Sequence, residues 1–479
     1  MVFLRGDRKE TRTKIVCTIG PASRDSEMLR RLIREGMDVA RINFSHGTLE
    51  EHQESIERIR RVAEEEESVV AVLGDLPGPK LRIGRLAAPL ELEPGQWIAF
   101  SLEDADGSAH VIPLSHPELI AAARIGGRWL LDDGLIDVVV REVRPDAVIA
   151  QVLVGGTLSS RKGIHAPGVP LPAMTEADRD LARFGVSQDI DFLALSFVRS
   201  EEDLLDLRRE IDGLPRGSSI GIVAKIERQE ALENLDGILL SADGIMIARG
   251  DLGLEIPPQE VPARQKEIIR RCNRIGLPVI TATQMLQSMI DKPRPTRAEA
   301  SDVANAILDG TDAVMLSGET AVGRYPVRAV AMMREISEIA ETTVVRSCDA
   351  AFEGGGEPDT RIAASVSAAA ARIAGEIDAR LIVTATASGT TARRVARQRP
   401  QHPILALTPD ERVLHQLALV WGVTPLRIAD VTGEGLVDAA ASAVVEAGFA
   451  EQGDIIVVTA GLPLGGPGTT NTVRVHRIA

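Results

Sequence analysis

Eight short apolar, β-rich runs alternate with amphipathic helical stretches along this chain, at 14–19 (KIVCTI), 37–43 (MDVARIN), 69–75 (VVAVLGD), 190–196 (IDFLALS), 219–225 (SIGIVAK), 244–249 (GIMIAR), 278–283 (PVITAT) and 312–317 (DAVMLS). Short apolar runs each followed by a helical pattern are the signature of parallel βα units. Eight such units predict an α/β chain built on a (β/α)8 barrel. In a barrel of that kind the chemistry lies on the loops leaving the C-terminal ends of the strands.

The regular spacing breaks once, between the third and fourth runs, where about a hundred residues intervene between Pro77-Gly78-Pro79 and Pro167-Gly168-Val169-Pro170-Leu171-Pro172. Gly/Asp/Pro turns and short alternations such as Leu90-Glu91-Leu92 and Val138-Val139-Val140 predict a small β domain, a β-barrel inserted in a barrel loop. On the active face such an insertion could act as a lid; a merely decorative insertion is the alternative. Past the barrel, Glu353-Gly354-Gly355-Gly356-Glu357-Pro358 marks a linker, and strands at Leu381 to Thr386, Ile404 to Leu407 and Ile455 to Thr459, with a helix from Ile362 to Ile377, predict a second α/β domain. The expected division is 1–78 and 173–345 for the barrel, 79–172 for the inserted lid and 346–479 for a C-terminal regulatory domain. A chain of 479 residues exceeds what one core supports.

A formal charge of -15 argues against a nucleic-acid partner or a membrane surface, which call for a basic face. An anionic ligand must then be held by a local cluster of Arg and Lys. Cys17, Cys272 and Cys348 are few, odd in number and without ligand spacing, which suits a reducing compartment. The N-terminus is charged where a signal peptide needs an apolar core, and no apolar run reaches membrane-spanning length. A cytoplasmic protein is expected.

Polar residues gather at the predicted strand ends: Arg41, Asn43 and Ser45; Asp75; Lys225 and Glu227; Arg249 and Asp251; Thr283; Ser317 and Glu319. Any one of them fits an ordinary solvated strand end, but cations, carboxylates and hydroxyls converging from six strands suggest an active mouth. Glu227 and Asp251 are hard oxygen donors suited to Mg2+ or Mn2+. No clustered His or thiolate suggests zinc. Lys225 lies two residues from Glu227, hence on the same strand face, with its ammonium directed at whatever the metal binds. Metal and ammonium on one oxygen would stabilise charge on a transferring phosphoryl group or an enolate. Gly250 and Gly253 admit close backbone approach to a ligand carboxylate. Standing alone, Lys225 and Glu227 would read as a surface ion pair.

Six stretches together resemble the pyruvate kinase family: 13–23 (TKIVCTIGPAS), 40–47 (ARINFSHG), 224–227 (AKIE), 246–253 (MIARGDLG), 282–286 (ATQML) and 315–320 (MLSGET). The similarity runs from about Thr11 to the C-terminus. The resemblance implies phosphoryl transfer from phosphoenolpyruvate to ADP, giving pyruvate and ATP. It implies metal ligation by Glu227 and Asp251, a catalytic Lys225, phosphate binding by Arg41, and a carboxylate site made by the Gly250 and Asp251 backbone with Thr283. A water relay through Thr283 and Ser317 would protonate the enolate. Asn43, Phe44, Ser45, His46, Arg82 and, from the lid, Lys162 would contact the nucleotide.

The family's K+ pocket is reproduced in part, by Asn43, Ser45, Asp75 and the Leu76 carbonyl. Potassium-dependent relatives carry Glu two residues before the Arg of a GPEIR-like motif, and Gly78-Pro79-Lys80-Leu81-Arg82 puts Lys80 there. Leu76, Pro77 and Ile83 also depart from that subgroup's Thr, Lys and Thr. A tethered ammonium would replace the bound K+ and repel a second cation, so activity without K+ is expected.

In the C-terminal domain Thr386, Ser388, Gly389, Thr390 and Thr391 lie between a strand and a helix, suited to a phosphate or to an ordinary capped turn. The loop 465–471 (GGPGTTN), with Gly468 and Thr469, resembles the family's effector loop and favours a sugar-phosphate or nucleotide regulator. Thr296 and Glu299 spell a capping box, and Arg297, Glu299 and Asp302 resemble the family's subunit-interface helix, implying a homotetramer. Two other classes remain open on the residues alone. A metal-dependent aldolase or lyase of phosphoenolpyruvate or pyruvate would not need Arg161-Lys162-Gly163, and a non-catalytic metabolite sensor would not need Lys225, Glu227, Asp251 and Thr283 together.

Overall fold

A computed structural model describes residues 11–102, 110–169, 171–343, 358–429, 435–461 and 470–479. Eight parallel strands close into a barrel: Lys14–Ile19, Val39–Asn43, Ala71–Asp75, Phe192–Leu195, Gly221–Ile226, Gly244–Ala248, Val279–Ala282 and Ala313–Leu316. The first strand pairs with both the second and the eighth, which completes the ring. Side chains alternate across each strand, so one set fills the barrel and the other meets the helices. Val16, Leu73, Val223, Met246, Ile280 and Met315 pack inside the barrel. Ile15, Cys17, Val72, Ile222, Ile247 and Val314 pack outward against helices such as Ser26–Glu35 and Val261–Ile275.

The strands fall within two residues of the predicted runs. One local reading changes: Arg249 does not end the sixth strand but opens a helix, Arg249–Glu255. The stretch Leu252, Leu254 and Glu255 favours helix, so Asp251 stands on a first helical turn.

The insertion carries a six-stranded sheet in which Trp97–Ser101, Val111–Pro113, Arg128–Leu131, Ile136–Val143, Ala147–Val154 and Ile164–His165 take part. A two-stranded ribbon pairs Leu90–Leu92 with Gly156–Leu158. Phe100 and Trp129, with ring centroids 5.1 Å apart, anchor a core of its own. The chain leaves the barrel at Gly78, where φ is +64° and an added Cβ would stand 2.7 Å from the Phe197 ring. The Gly78 N–H donates to Asp178 at 3.0 Å, and Asp178 belongs to the capping box of helix Glu176–Ser187. The exit into the insertion is thus tied to the helix by which the chain returns.

The C-terminal domain is a five-stranded sheet, ordered Val423–Arg427, Ile404–Thr408, Leu381–Ala385, Ile455–Ala460, Thr472–Arg477. The last strand is antiparallel. The first and last in this order go beyond the three strands expected from sequence. Thr472–Arg477 alternates polar and apolar on an exposed edge and lacks the apolar run that marks the others. The predicted linker at Glu353 to Glu357 lies outside the described residues.

This domain sits on the barrel's amino-terminal end. Ala418 and Leu419 close the interior cluster of the barrel itself. Helix Glu411–Leu417 sends Arg412 to Asp189 and to the Ile190 carbonyl, and Gln416 to the Asp191 and Ser219 carbonyls. Arg399 stacks on Trp421 and donates to Asn273 Oδ1 and the Gly310 carbonyl, both at 2.7 Å. The C-terminal domain thereby lies at the opposite end of the barrel from the carboxyl-terminal strand ends.

Candidate active site

Lys225 occupies the end of the fifth strand, nearly buried, with its ammonium 2.9 Å from Glu227 Oε1, 3.2 Å from Asp75 Oδ1 and 2.7 Å from Ser196 Oγ. Burial alone would lower its pKa, but Asp75 and Glu227 outweigh it and hold the group above the ordinary lysine range. Lys225 is therefore a fixed cation at every physiological pH. Asp75 is fully buried at the end of the third strand, where Arg41 Nε meets Oδ2 at 2.7 Å. Burial would raise this carboxyl, yet Lys225 and Arg41 bring it below the usual range. Arg41 also donates to Thr18 Oγ1 at 2.9 Å, which fixes the guanidinium plane from the first strand.

Glu227 Oε2 accepts the Phe197 N–H at 2.8 Å. Asp251, on the neighbouring helix, opens towards solvent. Enclosure within the mouth and then the charge of Glu227 push its carboxyl up to about 6. Among the described residues no cation lies within ion-pair distance of Asp251. Nor does any group of three or more His, Cys, Asp or Glu make a complete cage there. Two mutually repelling carboxylates fit a hard divalent cation that completes its shell with water and substrate oxygens.

Thr283 stands beyond the seventh strand with φ +67°, followed by Gln284 at +54°. A left-handed β-branched residue is sterically costly, and such residues concentrate at functional sites. The turn is held by Arg249, which donates to the Ala282 and Thr283 carbonyls at 3.3 and 2.8 Å while pairing with Asp302 at 2.8 Å. The Gly250 N–H donates to Thr283 Oγ1 at 2.8 Å, and that hydroxyl donates to the Ala282 carbonyl. The two groups expected to receive a ligand carboxylate are thus bonded to each other. Ser317 precedes a short helix, and its N–H donates to Glu319. Glu319 is buried and also accepts the Leu286 N–H, so it ties the turns after strands seven and eight together and does not face the mouth.

Lys80 reaches Ser45 Oγ at 2.7 Å. Burial and then the charges of Lys225 and Arg82 lower its pKa, partly offset by Asp75 and Asp251. Asn43 Oδ1 accepts the Ser45 N–H, and the Leu76 carbonyl accepts the Ser196 hydroxyl at 2.7 Å. Phe44 turns its side chain inward. Its ring is buried against His52 and Phe184, so it is unavailable to stack on a nucleotide base. His46 and Arg82 are exposed at the rim. Arg82 donates to the Arg161 carbonyl, and Lys162 pairs with Asp132 at 2.8 Å, both along the inserted domain.

In the C-terminal domain Ser388 and Thr390 share a hydrogen bond at 2.9 Å, Gly389 has φ +76°, and Arg393 donates to the Ser388 carbonyl. Thr391 bonds the buried Thr470 at 2.9 Å, and the Thr386 N–H donates to the Leu407 carbonyl. Gly468 and Thr469 lie outside the described residues.

Thr18, Ser196, Arg228, Glu255 and His165 also surround or support the mouth and escaped the sequence reading. Thr18 lies within a stretch already noted as motif-like, whereas the others meet their partners only through the fold.

Comparison with known proteins agrees with this architecture. A model described as "Pyruvate kinase, barrel domain" matches residues 10–330, and one described as "Pyruvate kinase, alpha/beta domain" matches residues 364–476. A pyruvate kinase of Geobacillus stearothermophilus is 46% identical over 98% of this chain and 80% of its own length. Pyruvate kinases of Staphylococcus epidermidis and Staphylococcus aureus are 44% and 43% identical, each again over 98% of this chain and 80% of their own. With both of its domain models matched and these identities spanning nearly the whole sequence, the chain belongs to the pyruvate kinase family.

Proposed function

We propose that this chain transfers the phosphoryl group of phosphoenolpyruvate to ADP at the barrel mouth, giving pyruvate and ATP as a step of glycolysis. The observation that carries this reading is the Lys225 ammonium clamped between Asp75 and Glu227, with Asp251 across the mouth from them. A divalent cation held by Glu227 and Asp251, Mg2+ or Mn2+, would supply charge neutralisation for phosphoryl transfer. Lys225 stabilises the same negative charge from the strand side, first on the phosphoryl group and then on the enolate oxygen it leaves. Arg41, braced by Asp75 and Thr18, binds phosphate. The Gly250 and Asp251 backbone with Thr283 receives the substrate carboxylate, which must displace the Gly250 to Thr283 hydrogen bond. Thr283 and Ser317 relay a proton through water to the enolate carbon. Asn43, Phe44, Ser45, His46, Arg82 and Lys162 bind the nucleotide, Phe44 through its backbone because its ring is buried.

The reaction runs without K+. Supporting this, Lys80 already bonds Ser45, while Asp75 and the Leu76 carbonyl are engaged by Arg41, Lys225 and Ser196. The loop of Thr386, Ser388, Gly389, Thr390 and Thr391, with Gly468 and Thr469, takes a phosphorylated effector, a sugar phosphate or a nucleotide. Alanine at Ser388 and Thr390 then abolishes activation and leaves basal turnover intact. Helix Arg297–Leu308, whose capping box joins Thr296 to Glu299, serves the interface of a homotetramer in the cytoplasm. No helix of the described residues is long and apolar enough to cross a membrane.

A coupled assay tests the central reading. ATP must form from phosphoenolpyruvate and ADP only when Mg2+ or Mn2+ is added, and in potassium-free buffer. Folded protein that forms none excludes the reaction, and velocity restored many-fold by K+ excludes the role given to Lys80.

A further inference from the structure

We infer that Glu255 is a positioning residue for the divalent-cation site, tying the element that carries Glu227 to the one that carries Asp251, and that His165 is the point at which the lid rests on it. The inference depends on reading Glu227 and Asp251 as the cation's carboxylates.

Those two residues come from different elements. Glu227 follows the fifth strand, and Asp251 lies in the first turn of helix Arg249–Glu255. A two-carboxylate site works only if the spacing between these elements is fixed. Glu255 lies four residues after Asp251, on the same helical face. Its carboxylate faces the backbone of Gln229 and stands 3.6 Å from Arg228 Nε. Arg228 and Gln229 directly follow Glu227. One side chain therefore clamps the turn beyond Glu227 to the end of the helix that presents Asp251.

The location of this carboxylate is costly. Only 9% of the Glu255 and Arg228 side chains is accessible, and burial, with Glu230 and Glu227 nearby, pushes the Glu255 carboxyl up to about 7. A buried ion pair of this kind is weak evidence for stability, because a well-packed apolar pair usually does as well. What it does supply is fixed geometry, as outer hydrogen-bond partners do around metal ligands.

The lid meets the same carboxylate. His165, on the lid strand Ile164–His165, places Nδ1 3.7 Å from Glu255 Oε1. Its Nε2 is buried without a hydrogen-bond partner. Burial and then the neighbouring Arg228 lower this imidazole to about 4, so the ring meets Glu255 uncharged. A second lid residue, Gly134, touches the same helical turn at Leu254, where an added Cβ would stand 2.9 Å from Cδ2. Lid position and metal geometry thus share one residue.

The test is Mn2+ binding to the full-length protein without substrates, followed by electron paramagnetic resonance of the free ion, beside the thermal midpoint. Glu227→Gln must weaken Mn2+ binding; if it does not, the metal reading falls and this inference with it. Given that control, Glu255→Ala is expected to raise the Mn2+ dissociation constant about 10- to 100-fold, with Glu255→Gln, which retains the side-chain length and an acceptor oxygen facing Arg228 and the Gln229 backbone, recovering part of the loss. Mn2+ affinity in folded Glu255→Ala or Glu255→Gln equal to the parent's overturns the positioning role while leaving the metal reading intact. His165→Ala is expected to leave Mn2+ affinity within about twofold and to raise the KM for ADP about 2- to 10-fold, the worth of one polar contact. An unchanged KM overturns the lid contact.

Discussion

Asp75→Asn removes a buried negative charge that lies between two cations, and its cost can be worked from the geometry. Arg41 and Lys225 stand 2.7 and 3.2 Å from the two Asp75 oxygens. At about 3 Å and an effective dielectric near 20, each pair is worth roughly 5 kcal/mol of Coulomb energy. Most of that is offset, since desolvating the carboxylate costs several kcal/mol. Lys225 also keeps Glu227 at 2.9 Å. The net loss should match other broken buried pairs, about 3–5 kcal/mol. The pH dependence has a definite sign. Asp75 has a depressed folded pKa, so its contribution is present above the ordinary carboxylate value and is lost as pH falls through the folded one. Guanidinium unfolding of the parent and the variant should differ by this amount at pH 7, with the gap narrowing as pH drops below about 4. Loosened anchoring of Lys225 should also cost about 100-fold in kcat/KM, the scale of a 1 Å misplacement. A gap under about 1 kcal/mol at pH 7, or one indifferent to acid, refutes the assignment of Asp75 as the shared counter-ion.

Lys225→Met should lower kcat by about 10³-fold or more with a near-native circular dichroism spectrum, and a loss below about tenfold would leave the ammonium without its proposed role. Lys80→Glu should convert the enzyme to one whose velocity rises at least about tenfold on adding K+, since a carboxylate at that place attracts the cation that an ammonium repels. Cys17 and Cys272 are buried, and burial raises both thiols, so neither should react with a thiol reagent at pH 8 until the protein is unfolded. Rapid labelling of either in the native protein contradicts their burial.

The barrel was legible because apolar runs such as KIVCTI and GIMIA carry their burial in their composition, and because strand ends are where the chain changes from apolar to polar. Lys225, Glu227 and Asp75 could be nominated on that basis, and they do converge. The direction of the Phe44 ring was not legible: it sits among polar motif residues yet turns inward because Gly74 leaves room for it. The sequence was silent too on Glu255 and His165, ninety positions apart and joined only through the docking of the inserted domain. Strand Thr472–Arg477 went unseen because an edge strand needs no apolar run. Local pattern reports burial well, whereas partnership between distant side chains is a property of the closed fold.

The left-handed turn at Thr283 and Gln284 sets local stability against local rigidity. Two non-glycine residues in that region store roughly 1–3 kcal/mol each, and Arg249 and its partner Asp302 hold them there. A glycine at either position would relieve that strain and at the same time loosen the turn that Arg249 braces. Local stability and the fixed shape of the turn therefore pull in opposite directions at the same two positions.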